Sequence, residues 1–246
     1  MDCGKRMNLF DGMITNILGQ LNRISSAEQA SLKEPSRAWR DVGAHHMILG
    51  KEMAYELGGQ NTLGLSGCLY TTKPLLYQQG VYLYGRDLTQ ITEHQSYARI
   101  VFVQLEESTD EDALYRKFRE IDYVRYHIHP EGFMARISPV SQREPVRISR
   151  KALKKNISFR DIGQLYLEQY QKIAQVKNVN VIFVTHRDFD YRALEEMFGR
   201  AEQITQSLNH IFTSLNMDCS TCSLKTVCDE VEGLRELHFG QKNHRN

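Results

Sequence analysis

The sequence predicts an α/β protein in which helices flank a mixed sheet, with an N-terminal helical segment and a C-terminal cysteine-rich segment. Short stretches rich in β-branched and aromatic residues, bounded by glycine or aspartate, fill the middle of the chain. Strand and helix patterns then alternate in the second half, which is typical of α/β architecture. We therefore divide the 246 residues into a helical segment over 1–50, an α/β domain over 51–215 and a cysteine-rich segment over 216–246.

Local patterns place the elements of the first half in order. Apolar residues at helical spacing predict a helix over 8–24, and a second helix is predicted over Trp39–Leu49, ending near Gly50. The predicted strands are EMAYELGG, LGLSGCLYT, GVYLYGRDL and RIVFVQLE. DEDALYRKFREI predicts a helix because its first turn is acidic, which the helix dipole favours. VRYHIHPEGFMARIS is predicted to be extended, with a turn at Pro130–Gly132.

The local signals are stronger after Ser149. RISRKALKKN predicts a short basic helix, and SFRDIGQLYLEQYQKIAQV predicts a longer helix that opens with a capping box of Ser158 and Asp161. VNVIFVT predicts a buried strand because five of its seven residues are apolar. A long helix over 190–215 then leads to the cysteine-rich segment, where VCDEVEGLREL predicts a last short helix.

Composition and charge narrow the class of protein. Lys and Arg number 31 against 30 for Asp and Glu, and this balance argues against a nucleic-acid-binding surface. No apolar run is long enough to cross a membrane, and MDCGKRMNLFDGM lacks the apolar core of a signal peptide. We therefore expect a cytoplasmic protein that binds neither nucleic acid nor membrane. Five cysteines in a reducing compartment favour metal or redox chemistry over disulfides.

Three of these cysteines are clustered. Cys219, Cys222 and Cys228 follow the spacing Cys-x2-Cys-x5-Cys. Two thiolates separated by a tight turn can bind one metal centre, and both tetrahedral zinc and a 4Fe–4S cluster need four ligands. Zinc sites usually use two paired hooks, and the sequence has no second Cys-x2-Cys and no histidine at the usual spacing. The spacing therefore predicts a 4Fe–4S cluster, with zinc or unligated thiols as alternatives.

The fourth ligand must come from elsewhere in the chain. Cys3 and Cys68 are the other two cysteines. Cys68 lies in an apolar predicted strand, where a buried thiol is expected. A terminal segment can fold back over a cluster, so we predict Cys3 as the fourth ligand. Cys68, His238 and an open iron site remain alternatives.

The segments AYELGG, YLYGRDL, EGFMARISPVSQREPVRISRKALKKNISFRDIGQLY, VNVIFVT and CSTCSLKTVC occur in this order. Together they resemble the acetyl-CoA synthase subunit of carbon monoxide dehydrogenase/acetyl-CoA synthase, from about Ala54 to Cys228. In that family four cysteines hold a 4Fe–4S cluster, and one of them bridges to a dinickel site completed by a downstream Cys-Gly-Cys. The resemblance matches Cys219, Cys222 and Cys228 to the first three, with a shorter spacer before the third.

The chain departs from the family pattern after Cys228. No cysteine lies near GLRELHFG, where the family has its fourth, and the 246 residues contain no Cys-Gly-Cys. We therefore expect no nickel site and no acetyl-CoA synthase activity from this chain alone.

The second candidate site is a basic stretch that contains Arg136, Arg143, Arg147, Arg150, Lys151, Lys154 and Lys155. It can contact the phosphates of coenzyme A, and the resemblance points the same way because the family docks coenzyme A on its central domain through arginines. The candidate phosphate-binding residues are Arg143, Arg147, Arg150 and Lys151. A solvated surface without a ligand is the competing interpretation.

Taken together, the sequence predicts an iron–sulfur protein related to acetyl-CoA synthase. Its expected role is electron transfer, redox sensing or docking of a protein partner in anaerobic one-carbon metabolism. Two alternatives come from other classes of protein. One is a coenzyme A-dependent acyl or methyl transferase that uses the basic stretch, and the other is a structural zinc-binding protein.

Overall fold

The computed structural model describes residues 9–24, 29–30, 39–59, 61–107, 117–118, 120–136, 143–213 and 223–230. Its elements, in chain order, are α1 (Asp11–Arg23), β1 (Gln29–Ala30), β2 (Met53–Leu57), β3 (Gly64–Thr71), β4 (Gly80–Tyr84), β5 (Tyr97–Leu105), β6 (Phe133–Ala135), β7 (Val146–Ser149), α2 (Arg150–Lys154), α3 (Phe159–Tyr170), β8 (Val176–Val184), α4 (Tyr191–Thr213) and α5 (Lys225–Glu230). The predicted α/β class is confirmed. Among these residues, every helix is too short or too polar to cross a lipid bilayer.

The larger sheet is mixed and has the strand order β1-β4-β8-β5-β3. β4 pairs parallel with β8 and β3 pairs parallel with β5, whereas β5 and β8 run antiparallel. Every residue of β3 is buried, because helices cover both faces of the sheet. On one face Gly163 of α3 lies against Val81 and Phe183. On the other face, Phe198 of α4 lies over Gly67. Gly67 pairs with Ile100, and Ile100 pairs with Ile182, so these three residues share one face of the sheet. Phe183 follows Ile182 in β8 and therefore points to the opposite face, beside α3.

α1 and α4 follow their sequence signals closely, whereas α3 begins where predicted but ends at Tyr170, before the predicted end at Val176. Ser158 and Asp161 form the predicted capping box at the start of α3, with side-chain to backbone hydrogen bonds in both directions. α4 buries one stripe of side chains at helical spacing. α1 packs its buried stripe, Ile14, Ile17 and Leu21, into the same hydrophobic core. The core therefore extends from α1 to α4.

A separate three-stranded antiparallel sheet has the order β2-β7-β6. In β7, Val146 and Ile148 are buried while Arg147 and Ser149 are half-buried, which is the alternation of a strand with one buried face. The predicted basic helix is therefore wrong over residues 147–149 and begins only at Arg150. Cross-strand pairing with β2 stabilises the extended conformation there.

Two further segments differ from the predictions. The helix predicted over Trp39–Leu49 is absent, because Asp41 bridges to Pro130 and the Trp39 indole nitrogen donates to the Glu131 carbonyl at 2.6 Å. Val124–Tyr126 forms a 3₁₀ turn instead of an extended segment. Of the helix predicted at DEDALYRKFREI, residues 117–118 and 120–121 are helical and the others lie outside the described residues.

Candidate functional site

In the sequence, Cys219 and Cys222 fall between α4 and α5, and Cys228 falls within α5. Cys3, Cys219, Cys222 and His238 lie outside the described residues. Cys228 lies in α5, which packs against α4 and brings the preceding Val227 against the hydrophobic core. The backbone that carries the third predicted ligand is therefore attached to the α/β body. The described residues, which exclude the Cys-x2-Cys pair, contain no group of three His, Cys, Asp or Glu side chains able to hold a metal.

Cys68 belongs to the core. Its side chain lies on β3 and is 8% exposed, as the sequence predicts. Burial, with a smaller contribution from the nearby Asp122 carboxylate, raises the pKa of the Cys68 thiol to about 12. Because Cys68 is buried within β3 in the hydrophobic core, it is a poor candidate for the fourth ligand.

Two of the four predicted phosphate-binding residues already have carboxylate partners. Arg143 pairs with Glu195 of α4 at 3.0 Å. Arg147 pairs with Glu56 of β2 at 3.4 Å, and it also donates to the Ile48 carbonyl at 3.2 Å. These contacts link secondary-structure elements, so the simplest role of both arginines is structural.

The other two, Arg150 and Lys151, line a cleft beside α2. The cleft has a volume of about 430 Å³ and lies between α2, the 46–52 loop and the turn before β6. We call it the basic cleft, and its lining includes His46, Met47, Lys51, Glu52, Glu131, Gly132, Ser149, Arg150, Lys151 and Lys154. A cavity of this size is in the range of small-molecule sites.

Hydrogen bonds to β6, to α2 and within the loop itself hold the 46–52 loop, which forms one wall of the basic cleft. Arg150 donates to the Lys51 carbonyl at 2.8 Å. The Ile48 amide donates to the Met134 sulfur at 3.2 Å, and the Leu49 amide donates to the Glu52 carboxylate at 3.1 Å. The 46–52 loop is therefore anchored to β6, to α2 and to itself.

The two carboxylates that line the basic cleft, Glu52 and Glu131, form hydrogen bonds or ion pairs with other residues of the protein. Glu131 pairs with Lys155 at 2.8 Å and with Arg40 at 3.3 Å. The hydrogen bond from Lys155 is the main reason that the pKa of Glu131 is lowered from its ordinary value. Glu52 accepts the hydrogen bond that closes the turn of the 46–52 loop. Neither carboxylate pairs with one of the cations that line the cleft.

A buried ionic pair fixes the chain between Arg143 and β7. Arg99 of β5 and Glu144 are both fully buried and meet at 2.5 Å. The Tyr97 hydroxyl donates to Glu144 at 3.1 Å, and Arg99 lies over the ring of Tyr166 at 4.0 Å. This network attaches the chain before β7 to the core of the larger sheet.

Sequence reasoning missed Lys51, His46 and Met47. Arg150 and Lys51 are 99 residues apart in sequence, and no local pattern connects them. The sequence signal that could have helped is the alternation of apolar Val146 and Ile148 with polar Arg147 and Ser149. This alternation predicts a strand, after which Arg150 begins a new element.

No known protein-family model matches this chain, and no curated protein is significantly similar to it. The cysteine spacing, the sequence motifs and the geometry of the described residues are therefore the observations that bear on function.

Proposed function

We propose that this chain is an iron–sulfur protein that binds a 4Fe–4S cluster. The observation that carries the proposal is the Cys-x2-Cys-x5-Cys spacing across the junction between α4 and α5. Thiolates are the soft ligands that iron–sulfur clusters require. Cys219, Cys222 and Cys228 would hold three irons and Cys3 the fourth. When bound, the cluster supplies one-electron redox chemistry.

The attachment of α5 to α4 supports this assignment. Because Val227 packs against the core, the backbone at the adjacent Cys228 is held close to the α/β body. Ligation would then fix the segment between the two helices, so cluster binding would also stabilise this end of the protein. A cluster on a secured segment suits electron transfer, redox sensing or docking of a protein partner. The resemblance to acetyl-CoA synthase favours a partner in anaerobic one-carbon metabolism.

Anaerobic purification followed by metal analysis tests the proposal. The full chain should contain about four iron and four sulfide per molecule and show visible thiolate-to-iron absorption. Cys222→Ser should lose both. Cys68→Ala is the matched control and should keep both, because Cys68 is buried in the core. Zinc without sulfide would instead support the structural zinc alternative, and full iron in Cys222→Ser would contradict any cluster at this segment.

A second comparison tests the fourth ligand. If Cys3 binds the fourth iron, Cys3→Ser should retain a labile centre with less iron, while Cys222→Ser loses the cluster. His238→Ala serves as the parallel variant for the alternative ligand. Full iron in Cys3→Ser together with loss in His238→Ala would move the assignment to His238.

A further inference from the structure

The basic cleft carries more positive charge than its surroundings neutralise. Four cations line it, namely Lys51, Arg150, Lys151 and Lys154. Within the described part of the chain, none of the three lysines has an acidic partner, whereas Glu131 is already shared between Lys155 and Arg40. Like charges held close together repel each other unless an anion separates them. The cleft is therefore a place where a bound anion would lower the electrostatic energy of the protein.

The cleft is also built in advance of any ligand. Gly132 of its floor has a φ of +81° and packs so closely that a Cβ would lie 2.2 Å from the Ala152 Cβ. Arg150 is oriented by its hydrogen bond to the Lys51 carbonyl, and its remaining guanidinium donors are available for a ligand. The Nε2 atom of His46, another lining residue, is buried and has no hydrogen-bond partner among the described residues. Fixed donors with no protein acceptor are what a specific anion site requires.

We propose that the basic cleft binds a small ligand with adjacent, multiply charged anionic groups of the diphosphate class. Its volume of about 430 Å³ fits a small molecule better than a folded partner. Arginine binds phosphate oxygens through paired donors, and lysines add point charges that suit several negative charges at once. The proposal is independent of the iron–sulfur cluster, because none of its residues is a predicted cluster ligand.

The lining of the basic cleft also indicates which chemical groups can be attached to the diphosphate of a ligand. Met47 lies at the cleft and is 65% exposed, and its neighbour Leu49 is 50% exposed. An apolar side chain beside clustered cations can contact an uncharged part of a phosphorylated ligand. Coenzyme A has a diphosphate joined to larger groups and is therefore one suitable probe, while pyrophosphate tests the anionic part alone.

Calorimetric titration of pyrophosphate into the full chain, at constant ionic strength, tests the site. The Lys51→Ala/Lys154→Ala double variant should bind pyrophosphate about tenfold more weakly or worse, because two charge-assisted contacts are lost. The control is Lys172→Ala/Lys177→Ala, which removes two exposed lysines outside the cleft and should bind as the wild type does. Equal binding by both double variants, or no measurable binding by the wild type, would overturn the proposal.

Two further probes separate the possible sources of negative charge. Citrate has a similar charge but no phosphate, and tighter binding of citrate than of pyrophosphate would overturn the diphosphate assignment. Coenzyme A should bind at least as tightly as pyrophosphate and lose affinity in Lys51→Ala/Lys154→Ala. Binding of coenzyme A that is unaffected by this double variant would contradict a role for the cleft in its recognition.

Discussion

Two places in this protein treat charge in opposite ways, the core of the larger sheet and the basic cleft. In the core of the larger sheet, Arg99 and Glu144 are wholly buried and paired. Beside the smaller sheet, Lys51, Lys151 and Lys154 line an open cleft and have no acidic partner in the described part of the chain. The buried charges are needed to hold the fold, whereas the exposed ones are available to a ligand.

The physical reason for the difference is desolvation. Burial alone would lower the pKa of Arg99, but the Glu144 carboxylate, together with Tyr166, Tyr97 and Tyr170, outweighs burial, and the pKa is raised. Arg99 therefore stays charged in the core, where it needs the Glu144 carboxylate, and the pair must form whenever the chain folds. An exposed lysine remains hydrated and can stay charged without a partner. Substitutions in the buried pair should consequently have the largest effects on stability, and substitutions in the cleft the smallest.

Removing one member of the buried pair should be the most damaging change. Glu144→Gln leaves the Arg99 charge buried without a carboxylate, and we expect a loss of about 3–5 kcal/mol in the free energy of unfolding. Urea denaturation measures this. Glu195→Gln is the control, because it breaks the exposed Arg143–Glu195 pair and should cost less than about 1 kcal/mol. Similar losses in the two variants would remove the distinction between buried and exposed ion pairs.

A substitution at Gly132 tests how tightly the chain packs between the small sheet and the basic cleft. Its φ of +81° and the 2.2 Å approach to Ala152 leave no room for a side chain, so Gly132→Ala should destabilise the protein by about 1–3 kcal/mol. At Gly199 of α4, by contrast, a Cβ would have no neighbouring atom within 4 Å. There alanine should stabilise by up to about 1 kcal/mol, because it is the better helix former. Thermal unfolding of both variants measures the contrast, and a harmless Gly132→Ala would argue against tight packing at the floor of the cleft.

The sequence was informative where a local interaction determines the structure. The Ser158–Asp161 capping box lies within four residues, and the buried strand β8 and the amphipathic helix α4 follow from their own patterns. The failures came from contacts between distant segments. Trp39–Leu49 has a plausible helical pattern, but hydrogen bonds to the 129–131 turn hold its first residues in an irregular conformation.

The candidate sites show the same limit. The basic stretch is one charged run in the sequence, yet Arg147 points to Glu56 while Arg150 lines the cleft. Strand alternation up to Ser149 and the start of α2 at Arg150 separate their roles. Lys51 joins the cleft only through the pairing of β2 with β7. Which cations are paired and which remain available is therefore a property of the fold.

Substitution of Glu131 should have a smaller effect on the free energy of unfolding, and this effect should depend on pH. Its pKa is lowered, mainly by the hydrogen bond from Lys155, so its stabilising contribution is present above the ordinary value and is lost as pH falls through the lowered value. Glu131→Gln should cost no more than about 1 kcal/mol near neutral pH, because the ion pairs are largely exposed. The difference from wild type should disappear in acid, well below the ordinary pKa of 4.5. Urea denaturation at several pH values measures it, and a difference that persists in strong acid would assign the effect to packing instead.

The cations of the basic cleft should contribute least to stability. Lys51 and Lys154 have no acidic partner in the described part of the chain and are exposed, so Lys51→Ala/Lys154→Ala should change the free energy of unfolding by less than about 0.5 kcal/mol. At low salt the change should be stabilising, because removing two charges relieves repulsion that salt otherwise screens. Thermal unfolding at low and high salt measures both parts. A loss comparable to that of Glu144→Gln would mean that these lysines hold the fold, and they could not then be regarded as reserved for a ligand.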